Sequence, residues 1–182
     1  TLSADRNGLA NSAYSFDGSN VITCNSISFS SISVSIWHQI SANSATNVAT
    51  GHPPIGSQLI GQGTQHSPTA YCDYALGLTT YYGIQQIAFE KSLPAANYEM
   101  DFSSTTFNSS QWEHLTMVVQ GTTVTIYKNG NFQMSYTANG AFQNIGSVLA
   151  FGARFVGNVS SPLCNFYTGK LDDIGIWNRA LT

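Results

Sequence analysis

Charge is what this sequence has least of. Only 8% of its 182 residues are Asp, Glu, Lys or Arg, against about 25% in an average globular protein. The six cations, Arg6, Lys91, Lys128, Arg154, Lys170 and Arg179, are scattered, and the net charge is −3. Nucleic-acid binding needs a clustered basic footprint, so that class is excluded. No apolar run approaches the ~20 residues of a membrane span. No window longer than a turn or two has helical periodicity, and there are no repeats and no linker. A Gly-x-Ser-x-Gly motif is also missing, which removes the commonest signature of a serine hydrolase. The histidines, His38, His52, His66 and His114, lack the short spacing of a zinc site. His38 and His114 instead read as hydrogen-bonded strand residues.

What is present fits one all-β domain over residues 1–182. Hydrophobic residues make up 42% of the chain and aromatics 12%, enough to build a core without help from metal or disulfide. Ser, Thr, Asn and Gly fill the remaining surface. Gly and Asn recur every 8–12 residues or so, with β-branched runs between, the pattern of a sandwich or barrel. Strands are expected at 13–16, 21–23, 33–40, 58–61, 74–79, 83–89, 114–120, 122–128, 131–136, 149–153 and 169–177. Gln120-Gly121 and Asn129-Gly130 mark two hairpin turns, the second suited to type I′.

Alternation assigns faces. Along residues 33–40, Val34, Ile36, His38 and Ile40 point to the core, and Ser33, Ser35, Trp37 and Gln39 point outward. A Trp on a Ser-rich outward face needs a cover, either the protein's own loops or a ligand. Along residues 148–156, Arg154 alternates away from Leu149, Phe151 and Phe155. Trp37 and Arg154 are therefore expected on one sheet face that could serve as a shallow ligand platform, with Tyr71, Asp73, Tyr81, Tyr82 and Asn158 at adjoining loops or strand ends. For each tyrosine the alternative is ordinary loop packing. The three cysteines, Cys24, Cys72 and Cys164, leave one unpaired if a bridge forms. Cys72–Cys164 is the expected pair, because each follows a loop placed at the same rim. All three pairings, and three reduced thiols, remain open.

Three segments carry a family resemblance: Asn11–Gly18 with Ile32–Trp37, Trp112–Val119 with Val124–Gly130, and Tyr167–Leu181. In that order and spacing they resemble the laminin-G-like branch of the concanavalin-A-like lectin/glucanase superfamily, as found in secreted bacterial modules. The resemblance implies a two-sheet antiparallel jelly-roll sandwich. It implies a secreted or cell-surface binding or adhesin domain of a larger protein, continuing past the last strand with a short helix. Its partner is expected to be a glycan or cell-surface polysaccharide, or alternatively a protein. The resemblance also implies a calcium ion near the last strand, held by Asp172 with Asp5 and Asp17. The plain alternative is that Asp17 caps a turn and Asp172 pairs with Arg6 or Arg179. The resemblance extends to β-glucanases, whose chemistry needs two carboxylates about 5–5.5 Å apart. No strand here offers such a pair, and adjacent Asp172 and Asp173 are expected to point to opposite faces, so no catalysis is expected.

Overall fold

The structure, a computed structural model, describes residues 1–41, 56–67, 70–81, 84–93, 97–103, 106–108, 110–140, 142, 148–155 and 163–182. For 64–67, 70–72, 81, 84, 92–93, 97–102, 155 and 163–164 only the backbone is described. In chain order the strands are β1 (Leu2–Ser3), β2 (Ala13–Asp17), β3 (Ile22–Cys24), β4 (Ser31–Ile40) and β5 (Ser57–Ser67). They continue with β6 (Ala70–Tyr81), β7 (Ile84–Leu93), β8 (Asn97–Phe102), β9 (Glu113–Gln120) and β10 (Thr123–Lys128). The last are β11 (Asn131–Thr137), β12 (Leu149–Phe151), β13 (Arg154–Phe155), β14 (Leu163–Cys164) and β15 (Thr168–Trp177).

Two antiparallel sheets form the jelly-roll sandwich. One has seven strands in the order β1-β2-β15-β4-β9-β10-β11, and the other six in the order β3-β12-β5-β6-β7-β8. A small pair, β13-β14, stands apart from both. The first and last long strands are neighbours, β15 lying between β2 and β4. The hairpin β10–β11 turns through Asn129 and Gly130, both with positive φ (50° and 77°), as a type I′ turn demands.

Period-2 alternation builds the core. Ile32, Val34, Ile36 and Ile40 of β4 are buried beside Leu115, Met117 and Val119 of β9. Leu76, Leu78, Ile87 and Phe89 of the six-stranded sheet belong to the same apolar cluster. The strand most plainly readable from sequence thus lies at the middle of its sheet. Its outward residues follow the expected alternation, with one departure. Ser33 is fully buried, because its Oγ donates to the Arg179 carbonyl at 2.9 Å and accepts from Leu181 N–H at 2.9 Å. The chain after β15 folds back over that end of β4.

Other expectations needed correction. The stretch 61–71, read as a loop before Cys72, is mostly the β5–β6 hairpin, so Tyr71 and Cys72 are strand residues. Strand β8, with its run of mixed polar and aromatic residues, shows no clear alternation and was not expected. The strand expected at 149–153 ends at Phe151, because Gly152 takes φ +81°.

Gly169 marks where backbone and side chains crowd most closely in β15. A Cβ there lies 2.3 Å from the Gln39 carbonyl oxygen and 2.8 Å from the Tyr167 hydroxyl, at φ +152°. Gly130 has positive φ but open space around it. Gly169→Ala should therefore cost ~1–3 kcal/mol or more from overpacking, while Gly130→Ala costs ~1–2 kcal/mol from the left-handed backbone alone. Urea unfolding midpoints of the two variants check the order. Equal losses contradict the close approach at Gly169.

Candidate functional site

The outer face of the seven-stranded sheet is built from cross-strand neighbours, which share a face. Trp37 of β4 is paired with His114 of β9 on one side and Asp172 of β15 on the other. The Trp37 and His114 rings stack at 4.9 Å between centroids, with an interplanar angle of 26°. His114 Nε2 is 2.7 Å from Ser35 Oγ, which holds the imidazole flat against the indole. Burial first, and the charge of Arg6 second, lower the His114 pKa below the usual imidazole value. Arg6 reaches over the other part of the ring, its guanidinium carbon 4.8 Å from the centroid, a cation–π distance. Its Nη1 pairs with Asp172 Oδ2 at 3.0 Å and Asp173 Oδ2 at 2.5 Å. Trp37 is therefore partly covered by the protein's own N-terminal turn.

Both carboxylates reach one guanidinium because the strand is not regular there. Asp173 has φ +41°, and the register with β4 slips between Asp172 and Gly175. A bulge inserts a residue and breaks the alternation. The expectation that Asp172 and Asp173 point to opposite faces is corrected accordingly.

Two residues further along the same ladder lies a surface pocket of about 340 Å³. Gln39 of β4 is opposite Lys170 of β15, and Lys170 is opposite Ser15 of β2. Ser110 closes one side. It holds φ +67°, accepts from the Gln39 amide at 3.0 Å through its carbonyl, and donates its N–H to Ile40 O at 2.7 Å. At ~3.3 Å per residue, this polar pocket begins roughly 7 Å from the Trp37 stack.

Arg154 does not share this face. It is 2% exposed and makes a two-pronged ion pair with Glu90 of β7, Nη1 to Oε2 at 2.8 Å and Nη2 to Oε1. The turn at Gly152 takes residue 154 out of the six-stranded sheet and aims it back at β7, which the unbroken alternation did not foresee. Asp73 is likewise buried, accepting from the Gln62 amide at 2.8 Å. The proposed joint face of Trp37, Asp73 and Arg154 is therefore replaced by two separate environments. Tyr82 and Asn158 lie outside the described residues, as do the side chains of Tyr71, Tyr81, Cys72 and Cys164. Cys24 is exposed and free.

The three aspartates expected to hold calcium are not gathered. Asp5 Oδ1 accepts from the N–H groups of Asn7 and Leu9, both at 2.8 Å. Asp17 Oδ1 accepts from Ser19 N–H and Oγ at 2.9 and 2.7 Å, hydrogen bonds that lower its pKa. Asp17 is paired with Thr168, four residues along β15 from Asp172, or ~13 Å at strand rise. Asp172 is paired with Arg6, which it shares with Asp173. Calcium needs several oxygens converging on one point, and this set does not fit it. Among the described residues no three His, Cys, Asp or Glu side chains form a metal cluster.

A family profile described as the concanavalin A-like lectin/glucanases superfamily matches residues 15–182. The chain belongs to that superfamily. Solved structures share the fold of this superfamily member at low identity. A native heptameric SAP-like pentraxin from Limulus polyphemus is 12% identical, with 92% of this chain and 76% of that one covered at a TM-score of 0.65. Domain 4 of AbnA, an extracellular arabinanase from Geobacillus stearothermophilus in complex with arabinotriose, is 18% identical, covering 93% and 72% at 0.64. The CBM40 of Ruminococcus gnavus IT-sialidase, bound to α2,3 sialyllactose, is 8% identical, covering 94% and 92% at 0.70. No curated protein matches by sequence.

Sequence reasoning missed Arg6 as the cover of Trp37, Lys170 and Ser110 as pocket residues, and Glu90 as the partner of Arg154. Only Arg6 had a local signal, its place in the Asp5–Gly8 turn. It also missed Trp177, which is 38% exposed and lies against Gly175 on the same outer face as Trp37.

A second polar cluster is internal. His38 is fully buried, and among the described residues neither ring nitrogen has a hydrogen-bond partner. Glu113 Oε2 stands 3.8 Å away, beyond hydrogen-bond range. Glu113 pairs with Lys128 Nζ at 2.6 Å and accepts the Asn108 N–H at 3.2 Å. Burial, then the Lys128 charge, push His38 from 6.5 down to about 3. Between those values the unfolded chain binds a proton that the folded one refuses. The contribution of neutral His38 is thus fully present above 6.5 and is lost as pH falls toward 3. Urea midpoints should drop through the window from about 6.5 to 5, with a slope approaching 1.4 kcal/mol per pH unit, and His38→Leu should flatten that drop. An unchanged slope in the variant contradicts the assignment.

Proposed function

We propose that this chain is a non-catalytic, extracellular carbohydrate-binding module, an adhesin or lectin-like domain of a larger secreted protein. The observation that carries the reading is the outer face of the seven-stranded sheet. It joins a half-covered Trp37 ring to a polar pocket built by Ser15, Gln39, Ser110 and Lys170. Sugars combine flat apolar faces with arrays of hydroxyls, and a site for them needs a ring beside a few fixed hydrogen-bonding groups. Gln39 and Ser110 are fixed by their mutual hydrogen bond. Two fold neighbours, the arabinanase domain with arabinotriose and the sialidase module with sialyllactose, hold saccharides on the same architecture.

The carboxylates support a non-catalytic role. Glycoside hydrolysis needs two carboxyl groups placed on either side of the bond, one as acid and one as base or nucleophile. Glu90 is buried in its pair with Arg154, and Glu113 in its pair with Lys128. Asp172 and Asp173 share Arg6.

A second reading, protein docking, has one observation of its own. Leu2 and Tyr14, paired across β1 and β2, are about half exposed, and Leu9 more so. An exposed apolar patch of this kind suits a protein partner.

A glycan-array screen with the purified chain, run with calcium and with chelator, separates these readings. Binding to a saccharide class is expected, weakened in Trp37→Ala by ~1–3 kcal/mol, the size of an aromatic hot-spot truncation. No glycan should be turned over. A blank array, together with protein capture that is abolished by Leu9→Ser, overturns the carbohydrate reading. The expected Cys72–Cys164 bridge belongs to the same extracellular reading, and non-reducing peptide mapping decides it.

A further inference from the structure

Resting on the carbohydrate reading, we infer that the pocket over the β2–β15–β4 ladder selects acidic saccharides, with the Lys170 ammonium as the group that reads the ligand's anion. The argument begins with a count of charges. Of the six cations in the sequence, Arg6 pairs with Asp172 and Asp173, Lys128 with Glu113, and Arg154 with Glu90. Lys91 is fully buried, donating to the Gly140 carbonyl at 2.5 Å and lying 4.8 Å from the Phe142 ring centroid. Lys91 is thus withdrawn from solvent, and of the remaining cations neither Lys170 nor Arg179 has an ion-pair partner among the described residues. Of these, only Lys170 lines the pocket.

The neighbourhood keeps that charge available. The carboxylate nearest along its own face is Asp172, two residues on, which is engaged by Arg6 together with Asp173, so that the three-residue cluster carries a net charge of about −1 and its carboxylates are turned to Arg6. Asp17 is spent on the Ser19 N–H and hydroxyl. The other walls carry neutral hydrogen-bonding groups, Ser15, Gln39, Ser110 and Thr168. Lys170 itself is half-buried and lines the pocket, and a lysine in that setting can lay its stem on the ladder and keep its ammonium in water. A cation in a polar, concave, otherwise uncharged setting complements an anionic group flanked by hydroxyls. A sugar bearing a carboxylate or a sulfate ester has that chemistry. A neutral sugar offers the ammonium only hydroxyl oxygens as acceptors, a weaker match than an anionic oxygen.

The test is calorimetric titration of the intact chain with three oligosaccharides of matched length: an oligogalacturonate, a sulfated galactan oligosaccharide free of uronate and a neutral xylo-oligosaccharide. At least one acidic ligand should bind about tenfold or more tightly than the neutral one, the scale of one charge-assisted hydrogen bond. Its affinity should fall with added salt. Lys170→Gln should remove that preference, Lys170→Arg should retain most of it, and both should keep the parental melting temperature because residue 170 lies at the surface. The two acidic arms distinguish carboxylate from sulfate. If the neutral oligosaccharide binds as well as the acidic ones, or Lys170→Gln leaves the preference intact, this inference fails while the carbohydrate reading stands. If none of the three binds and the glycan array is also blank, both fail. Binding of an acidic peptide in preference to every saccharide counts against both as well.

Discussion

A charge taken out of water has to be paired, and this fold takes Asp73, Glu90, Lys91, Glu113, Arg154 and Asp172 out of water. Removing an ion from solvent costs several kcal/mol even after relaxation, and leaving its partner behind costs ~3–5 kcal/mol. Glu90 and Arg154, at 2% exposure each, meet in a two-pronged pair that ties the small β13–β14 element to the six-stranded sheet. Glu113 and Lys128 form a second pair at one end of the core, beside a neutral His38. Tyr167, buried in the same region, has its phenol pKa raised well above the ordinary value, by burial first. Arg6 binds two carboxylates at once and so fastens the N-terminal turn to the bulge in β15. These pairs fix which elements touch.

The same pairing leaves the two outer faces with different characters. Against the six-stranded sheet the polar groups, Gln58, Asp73, Glu90 and Arg154, are buried and bound to other protein groups. On the seven-stranded sheet Ser33 and Asp172 are buried, but Ser15, Gln39 and Lys170 are half-exposed. Trp37 is held between His114 and Arg6, Trp177 lies further along, and Gln39, Ser110 and Lys170 line a pocket. A side chain whose partners are all internal is a structural element. One that is positioned but only partly satisfied is available to a ligand. That contrast is the ground for proposing the ligand face at Lys170 rather than at Arg154.

Elements with an unbroken pleat were legible from sequence. The alternation in β4 placed Val34, Ile36, His38 and Ile40 inward and Trp37 outward, and Asn129-Gly130 announced its turn. The errors share one physical origin. Alternation presumes that every residue advances the pleat, and it fails where a positive φ inserts a bend. Gly152 at +81° re-aims Arg154, and Asp173 at +41° brings two adjacent carboxylates to one side. The Asp173 bulge carries no sequence signal, since it is not at a glycine. The partnership of Glu90 with Arg154 spans 64 positions and has no local trace. It was nevertheless implied by the scarcity of charge, since an Arg alternating out of an apolar strand in so uncharged a chain needs a carboxylate somewhere. The calcium set failed for a related reason. Sequence places Asp5, Asp17 and Asp172 near both ends of the chain, but only the ladder shows that Asp17 lies opposite Thr168, a strand's half-length from Asp172.

The central claim is that ligand meets the outer face of the seven-stranded sheet. It is tested most directly by two-dimensional amide and side-chain NMR of the labelled chain during titration with an oligogalacturonate. The account predicts that the largest shift changes fall on the Gln39 side-chain amide, the Trp37 indole N–H and the backbone amides of Ser15, Ser110 and Lys170, with Asp73, Ala75, Ala88 and Glu90 unmoved. Shift changes centred on those last four, with the Trp37 and Gln39 signals stationary, contradict it.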